Sequence, residues 1–433
     1  MLPVSIEIIH SHYKSCGFKL GTDTRNIVSG SVFFCLKGPN FDGNLFATEA
    51  LEKGAAFAVV SDLAVCTDER ILYVPDTLIA LQQLAHFHRE HLDTQIIGIG
   101  GSNGKTTTKE LCAIVLGTTF KYHATKGNLN NHIGVPLTLL ELDGTEDIAI
   151  IEMGTNHIGE MKVICDIAAV DIGIVTNVGK EHLEGFGSIE EIAREESELY
   201  LSLMKDNGFA LINADDPWLS NMAKRLNTKF SYGIENIADL RAELIESMPT
   251  LKFNLQYKSK THGPYQAQLG GSFNLYNILS AVALGITLGL DIEKCALAAC
   301  NYLPTNNRSE WRILNGKQIL MDAYNANPSS MELALTEFAK IPGRKTVCLG
   351  DMLELGDFSK AEHKTIADLA NSLGFDHVWF AGQEFHTATN QSAHAFIHTD
   401  DLVAFLKLNP VREQFVLIKG SRGMIMEKVL NAF

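Results

Sequence analysis

This sequence has no block of basic residues. Its 36 Lys and Arg stand against 51 Asp and Glu, for a net charge of −15. That balance excludes a surface built to coat nucleic acid. Any anionic ligand must be held by a local device. There is no C-x-x-C pair, and the eight cysteines, at 16, 35, 66, 112, 165, 295, 300 and 348, follow no regular spacing. Most lie in apolar segments, as buried free thiols do, which excludes a disulfide scaffold or a zinc ribbon. No run of about 18 apolar residues exists, so no transmembrane helix is expected. The first residues, Met1 to Glu7, lack a basic-then-apolar leader. No repeat or low-complexity tract is present. The expectations are a cytoplasmic monomer with no nucleic-acid partner and no membrane insertion. His86, His88 and His91 lie close together, but Glu90 is the one carboxylate near them. A metal cluster is not expected there.

What is present is apolar patterning in three blocks. A chain of 433 residues, 46% apolar, is too long for one core. Residues 1–93 mix short strands with loops, among them the strand Ser31 to Leu36 and the turn-rich Lys37 to Gly43. Residues 94–310 alternate strand and helix. The apolar runs Ile148 to Met153, Asp171 to Thr176 and Gly208 to Asn213 read as buried parallel strands. Residues 311–433 alternate again, with strands at Gln318 to Met321, Thr346 to Leu349, His377 to Phe380 and Phe415 to Ile418. This is an α/β chain with a second open parallel sheet.

The most informative stretch begins the middle block. An apolar strand, Gln95 to Ile99, runs into Gly101-Ser102-Asn103-Gly104-Lys105-Thr106-Thr107, and a helical segment follows. Glycines let backbone N–H groups turn toward phosphate, and the helix N-terminus adds partial positive charge. Lys105 is placed to reach the terminal phosphates, and the Thr106 hydroxyl to hold Mg²⁺. The spacing is G-x-x-G-K-T; the longer motif wants glycine at 99, which is Ile99.

Ligands of open α/β sheets bind at the carboxyl ends of strands. Glu152 follows one strand and suits Mg²⁺; alone it would be a rim charge. Thr176 to His182 follows another. Ser188 and Glu191 fit a capping box. On the helix that follows, Ile189, Ile192, Ala193, Tyr200 and Leu203 form an apolar stripe with Glu196 near its centre. Glu190, Glu191, Glu195 and Glu198 are expected in solvent. A carboxylate on a buried face needs a cation or donors, so Glu196 is an ion-pair partner or, the preferred reading, a metal ligand. Asn274 and Asn277 share a face in the first turn of a later helix, to cap it or to read a base edge. In the last block, strand ends carry Asp322-Ala323-Tyr324-Asn325-Ala326-Asn327, Gly350 to Gly356, and Lys419-Gly420-Ser421-Arg422, the last suited to a carboxylate or phosphate.

Taken together, these strings resemble the Mur ligases, the ATP-dependent amide-bond-forming enzymes of peptidoglycan synthesis. The resemblance is carried by Asp23-Thr24-Arg25, the short loop with Lys105, Gly127-Asn128-Leu129-Asn130-Asn131 with Ile133-Gly134-Val135-Pro136, and Glu152-Met153-Gly154. It continues through His182-Leu183-Glu184-Gly185-Phe186-Gly187, Asn213-Ala214-Asp215-Asp216-Pro217, Tyr324-Asn325-Ala326-Asn327-Pro328 and Lys419-Gly420-Ser421-Arg422. The Tyr-Asn-Ala-Asn and His-Leu-Glu-Gly-Phe-Gly strings point to the member that joins D-alanyl-D-alanine to a UDP-N-acetylmuramoyl tripeptide through an acyl phosphate.

The resemblance implies a UDP-sugar-binding domain (1–93), a central ATPase domain (94–310) and a C-terminal dinucleotide-fold-like ligase domain (311–433). It implies ATP and Mg²⁺ as cofactors. Asp23, Thr24, Arg25, Ser31 and the loop Gly38 to Gly43 would meet the uridine diphosphate. The Gly101–Thr107 loop with Asn274, Asn277, Arg308 and Asp322 would meet ATP. Asn128, Asn131, Tyr324, Asn325, Asn327, Lys419, Ser421 and Arg422 would meet substrate. Lys105, His182 and Glu196 would be catalytic, with Thr106, Glu152, His182 and Glu196 on metal. Two positions depart from the family. A carbamylated lysine is usual where this chain has Glu196, and histidine is common at Phe273.

Overall fold

The computed structural model describes residues 2–205, 207–392 and 394–433. Three sheets account for the three apolar blocks. The first has four parallel strands in the spatial order Leu20–Gly21, Val32–Phe34, Phe57–Val60 and Ile71–Tyr73. The helix Thr77–Arg89 follows, started by Asp76, whose carboxylate accepts from the N–H groups of Leu78 and Ile79. His88 on this helix turns inward. It is buried, 3.2 Å from His10 Nε2 and 2.9 Å from the Leu142 carbonyl. Among the described residues no cluster of three or more His, Cys, Asp or Glu side chains is arranged for a metal ion.

The central sheet has nine strands. The strand Gln95–Gly100 lies between Ile148–Glu152 and Ile172–Val175, parallel to both. The chain moves outward on one side to Tyr122–Ala124, then crosses to the other, so the strand order reverses at the glycine loop. That crevice is where such sheets bind ligands. Phe209–Asn213 and Lys229–Gly233 extend the parallel part. The block does not keep alternating as its sequence suggested. Leu240–Glu246, Lys252–Tyr257 and Lys260–Gln266 form an antiparallel edge, burying Leu240, Ala242, Phe253 and Leu255 on one face. The first block has a small core of its own around Phe33, Ala47, Ala58 and Ile71, but its other face is shared. Ile9, Tyr13, Leu81 and Leu84 pack in one cluster with Ile96, Val135, Leu139 and Ile164 of the central block.

The third sheet runs Glu310–Leu314, Lys317–Asp322, Phe415–Lys419, Lys345–Gly350, His377–Ala381 and Ala395–Phe396, parallel except for the first strand. Glu310 pairs with Met321, so residue 310 belongs with this sheet and not with the middle block. Its core also takes in part of the central chain. Leu183, Phe186 and Ile192 are buried in one cluster with Leu335, Met352 and Leu355. Burying three such side chains stabilises the docked arrangement by about 5–9 kcal/mol. An exposed pair such as Lys180–Glu362, 2.6 Å apart, adds about 0–1 kcal/mol. Apolar burial, not ion pairing, therefore docks the third block.

The helix Ile189–Lys205 carries the stripe read from the sequence, with Ile192, Ala193, Glu196, Leu199, Tyr200 and Leu203 buried. Ser188 Oγ accepts from the Glu191 N–H at 3.2 Å. Glu195 is a correction. Expected in solvent, it is buried and accepts from Gly159 N–H at 2.7 Å and Met161 N–H at 2.6 Å, starting the helix Glu160–Ala168. A cap supplied from 34 residues away in sequence leaves no local pattern. Glu195→Ala is expected to cost about 1–2 kcal/mol and lower the melting temperature by about 2–4 °C per kcal/mol. An unchanged melt in differential scanning calorimetry would remove the capping role.

Candidate active site

The loop after Gly100 is held by protein contacts on its inner side. Gly101 N–H donates to Glu196 Oε2 at 2.7 Å. Ser102 N–H donates to the Asn177 carbonyl (2.9 Å), and Asn103 N–H to Asn177 Oδ1 (3.1 Å). Ser102 Oγ donates to the Gly179 carbonyl and accepts its N–H. This corrects one expectation. The N–H groups of Gly101, Ser102 and Asn103 face protein acceptors, not a phosphate. Those left for an anion are in the first turn of the helix Lys105–Leu116, where no helical acceptor exists. Gly104 enters that helix with φ +83°, and a Cβ there would lie 2.5 Å from Asn277 Oδ1. Only glycine fits that crossing. Asn277 also donates to Asn274 Oδ1 (3.0 Å), and Asn274 donates to the Gly270 carbonyl (2.7 Å). The two amides brace the loop from the neighbouring helix Ser272–Thr287.

Beneath the loop lies a buried charge cluster. Lys105 Nζ curls onto the carbonyls of Gly101 and Ser102 and sits 3.5 Å from Glu181 Oε2. Burial alone would lower the lysine's pKa, but Glu181, Glu196 and Glu152 together outweigh it and hold the ammonium charged. Burial pushes the Glu181 carboxyl up, against the pull of Lys105 and His182. Burial also pushes Glu196 up to about 8, only partly offset by Lys105. Lys109 Nζ stands 3.7 Å from Glu152 Oε2. Two lysines thus face three carboxyls; burial holds a proton on Glu196 near neutral pH and pushes Glu181 in the same direction.

Glu152 and Thr106 have the chemistry of a Mg²⁺ site. Thr106 Oγ1 donates to Glu152 Oε1 (3.1 Å), as does Asn130 Nδ2 (3.0 Å). Glu152 Oε2 is buried with no hydrogen-bond partner among the described residues. A buried carboxylate oxygen with no hydrogen bond, beside a hydroxyl and with Lys109 no nearer than 3.7 Å, fits a hard, oxygen-seeking cation. Glu196 is placed differently. It is 1% exposed and does not line the cavity; its Oε2 is taken by the loop N–H. The carboxylate that faces both Lys105 and His182 is Glu181.

Strand ends of the central and third sheets meet across one cavity of about 600 Å³. From the central block it is lined by Ser102 to Thr107, Asn128, Asn131, Glu152, Glu181, His182, Phe273, Asn274 and Asn277. Arg308, Asp322, Tyr324, Asn325, Asn327, Lys419 and Arg422 line the opposite wall. Arg308 stacks on the Tyr324 ring at 3.6 Å. Lys419 donates to Asp322, and Arg422 pairs with Glu427 at 3.0 Å. Asn327 starts the helix Pro328–Ala339 and donates to Asn103 Oδ1 at 2.8 Å, tying this wall to the phosphate loop.

Several expected residues stand elsewhere. Ser421 lies behind the wall, donating to the Ala326 carbonyl (3.3 Å) and accepting from Leu353 N–H (3.0 Å). Asp23, Thr24, Arg25 and Ser31 lie outside this cavity, in the first domain. Asp23 grips Arg25 in a forked pair, 2.9 and 2.7 Å, which holds its carboxyl well below the usual range. Lys53 donates to the Thr24 carbonyl (3.0 Å), and Ser31 Oγ is buried without a partner among the described residues. The sequence reading missed Lys109, Asn130, Glu181 and Glu354. Lys109 lies one helical turn past Lys105, a spacing that could have flagged it. Glu181 and Glu354 sat in quoted strings but carried no periodic signal.

Comparison with known proteins matches three family models along the chain. They are the Mur ligase family catalytic domain over residues 19–95, the Mur ligase middle domain over 99–285, and the Mur ligase glutamate ligase domain over 307–422. The UDP-N-acetylmuramoyl-tripeptide–D-alanyl-D-alanine ligase of Escherichia coli is 35% identical, over 95% of this chain and 92% of its own. The enzyme of that name from Bacillus subtilis is 34% identical with the same coverage. Among solved structures, MurF from Acinetobacter baumannii superimposes with a TM-score of 0.87 at 31% identity, covering 95% of this chain and 92% of its own. MurF from Thermotoga maritima in complex with ADP gives 0.86 at 27% identity, covering 96% of each.

The buried Glu196 gives a pH signature. Its folded pKa lies above the ordinary carboxyl value, so the folded state binds the extra proton. That stability is fully present below the ordinary value and is lost as pH rises toward 8. Glu196→Gln keeps an acceptor for Gly101 N–H and removes the titration. Between pH 5 and pH 8 the melting temperature of the wild type is expected to fall relative to that of the variant. A difference that stays flat, or grows with pH, would mean the carboxyl is not held protonated.

Proposed function

The chain belongs to the Mur ligase family, and on that premise we propose how its residues divide the work of an ATP-dependent ligase. It joins D-alanyl-D-alanine to UDP-N-acetylmuramoyl tripeptide in peptidoglycan precursor synthesis, using ATP and Mg²⁺. The observation that carries the reading is the single cavity where the phosphate loop and Glu152 face Arg308, Lys419 and Arg422 of the other sheet. No helix among the described residues is long and apolar enough to cross a membrane. We read the enzyme as a cytoplasmic monomer.

The chemistry must bring two anions together. A tripeptide carboxylate attacks the γ-phosphorus of ATP; the bond to the β,γ-bridging oxygen breaks, and ADP leaves. The amine of the dipeptide then attacks the acyl carbon, loses a proton, and displaces phosphate. Positive charge at the phosphates dominates such a reaction. First-turn N–H groups of the helix Lys105–Leu116 and the Lys105 ammonium supply it from this chain. Thr106 and Glu152 would hold Mg²⁺, which when bound neutralises phosphate charge. Lys109 and Asn130 fix the Glu152 carboxylate. Asn274, Asn277 and Arg308 serve the nucleotide. Tyr324, Asn325 and the segment Lys419 to Arg422 place the dipeptide. Asp23, Thr24, Arg25 and Ser31 serve the uridine diphosphate from the first domain. Glu196 acts by supporting the loop through Gly101.

The test is phosphate release from ATP with each substrate present or omitted, with and without bicarbonate. Release is expected only with both substrates and Mg²⁺. It should be indifferent to bicarbonate, since position 196 carries a carboxyl that needs no carbamylation. Lys105→Ala should lower kcat by about a hundredfold or more. Release that ignores the dipeptide, or no release at all, would overturn the reading.

A further inference from the structure

His182 is held in place from the other domain. Its backbone is left-handed, φ 42°, and it opens the short helix Leu183–Phe186. A left-handed conformation costs a non-glycine residue about 1–2 kcal/mol, so something must hold it there. Leu183 and Phe186, the residues just beyond, are buried in the core of the third block. The facing segment of that block has its own left-handed residue, Glu354, with φ 63°. The Glu354 carbonyl accepts from Glu184 N–H at 3.2 Å. Gly356 packs so closely on Glu184 that a Cβ there would lie 3.3 Å from its side chain.

The side chains complete the junction. His182 Nδ1 lies 2.6 Å from Glu354 Oε2, and His182 Nε2 lies 3.8 Å from Glu181 Oε2. Glu181 in turn stands 3.5 Å from Lys105 Nζ. A line of contacts thus runs from the third block through His182 to the phosphate lysine. His182, Glu181, Lys105 and Glu354 all line the one cavity. Glu354 is the only member of that line supplied by the third block. The contact is close but not aligned as a hydrogen bond, since His182 Nδ1 has no hydrogen-bond partner among the described residues; the carboxylate restrains the ring by packing against one side of it.

We infer that Glu354 is a positioning residue: it holds His182 at the phosphate end of the cavity when the third block is docked on the central one. Docking of the dipeptide side thereby completes the phosphoryl-transfer side. This rests on the ligase reading above. Segment 182–187 works as a strap, anchored by apolar burial and restrained by one carboxylate.

The test measures kcat and the KM for ATP, from phosphate release with both substrates, in Glu354→Ala, Glu354→Gln, His182→Ala, the double alanine variant and Lys180→Ala. The Glu354 side chain is 57% exposed, so truncation opens no cavity. Rates are taken per folded molecule, measured by circular dichroism. Glu354→Ala is expected to lower kcat by roughly tenfold to a hundredfold, with the KM for ATP unchanged within about twofold. Glu354→Gln, which keeps the shape of the side chain against the ring, should recover most of that loss. The double variant should be no slower than His182→Ala alone, since the two residues act as one unit. Lys180→Ala removes an interdomain ion pair that does not touch His182 and should stay within about twofold of wild type. Additive losses in the double variant would overturn the inference. So would a Lys180→Ala loss as large as that of Glu354→Ala, or a Glu354→Ala enzyme equal to wild type. If wild type itself shows no dipeptide-dependent release, the ligase reading fails instead.

Discussion

The hydrogen bond from Gly101 N–H to Glu196 Oε2 is the constraint on which the site depends. It turns the first glycine of the loop inward, while Asn177 takes the next two N–H groups. The loop is therefore set before any anion arrives. What remains to receive phosphate is the first turn of the helix Lys105–Leu116, with the lysine folded over it. A preset loop loses little order on binding, which favours both affinity and correct aim. The arrangement has a cost. Three buried carboxyls and two ammoniums share one small volume, and burial lifts both Glu181 and Glu196 above the ordinary carboxyl range. A proton on Glu196 near neutral pH relieves the excess negative charge.

The second constraint is apolar. Leu183, Phe186 and Ile192 leave the central sheet and are buried in the third block's core. This joins two strand-end rims, each weakly committed alone, into one enclosed cavity. The phosphate loop and Glu152 come from the central block and three cations from the other. Water must be kept from an acyl phosphate, and a cavity closed by two domains does that more readily than an open cleft. The same junction fixes His182, so geometry at the chemistry is tied to the state of the domain interface.

Much of this was legible in the sequence because the signals are local. Continuous apolar runs placed the central parallel strands within a residue or two of their ends, while the short or half-exposed ones, such as Tyr122–Ala124 and Lys229–Gly233, went unread, and Gly104-Lys105-Thr106 gave the loop. The 3.6-residue stripe placed Glu196 on a buried face. The same helix misled at Glu195, whose burial comes from capping a helix 34 residues away. Stripe counting sees one partner surface, and this helix has two. Glu181 and Glu354 were invisible for a related reason. Their roles arise from left-handed turns and a domain junction, which leave no periodicity. The inward-facing N–H groups of Gly101 to Asn103 were misread because a glycine loop signals freedom to turn, not the direction of the turn. The antiparallel edge at 240–266 was missed because its strands are half-exposed and carry no continuous apolar run.

The most direct measurement is a crystal structure of the protein with ADP and Mg²⁺. The account expects the Gly101 N–H to remain on Glu196 Oε2, near its present 2.7 Å. Phosphate oxygens should lie on the first-turn N–H groups of the helix that begins at Lys105. A structure in which Gly101, Ser102 and Asn103 turn their N–H groups away from Glu196 and Asn177 onto the phosphates would contradict it.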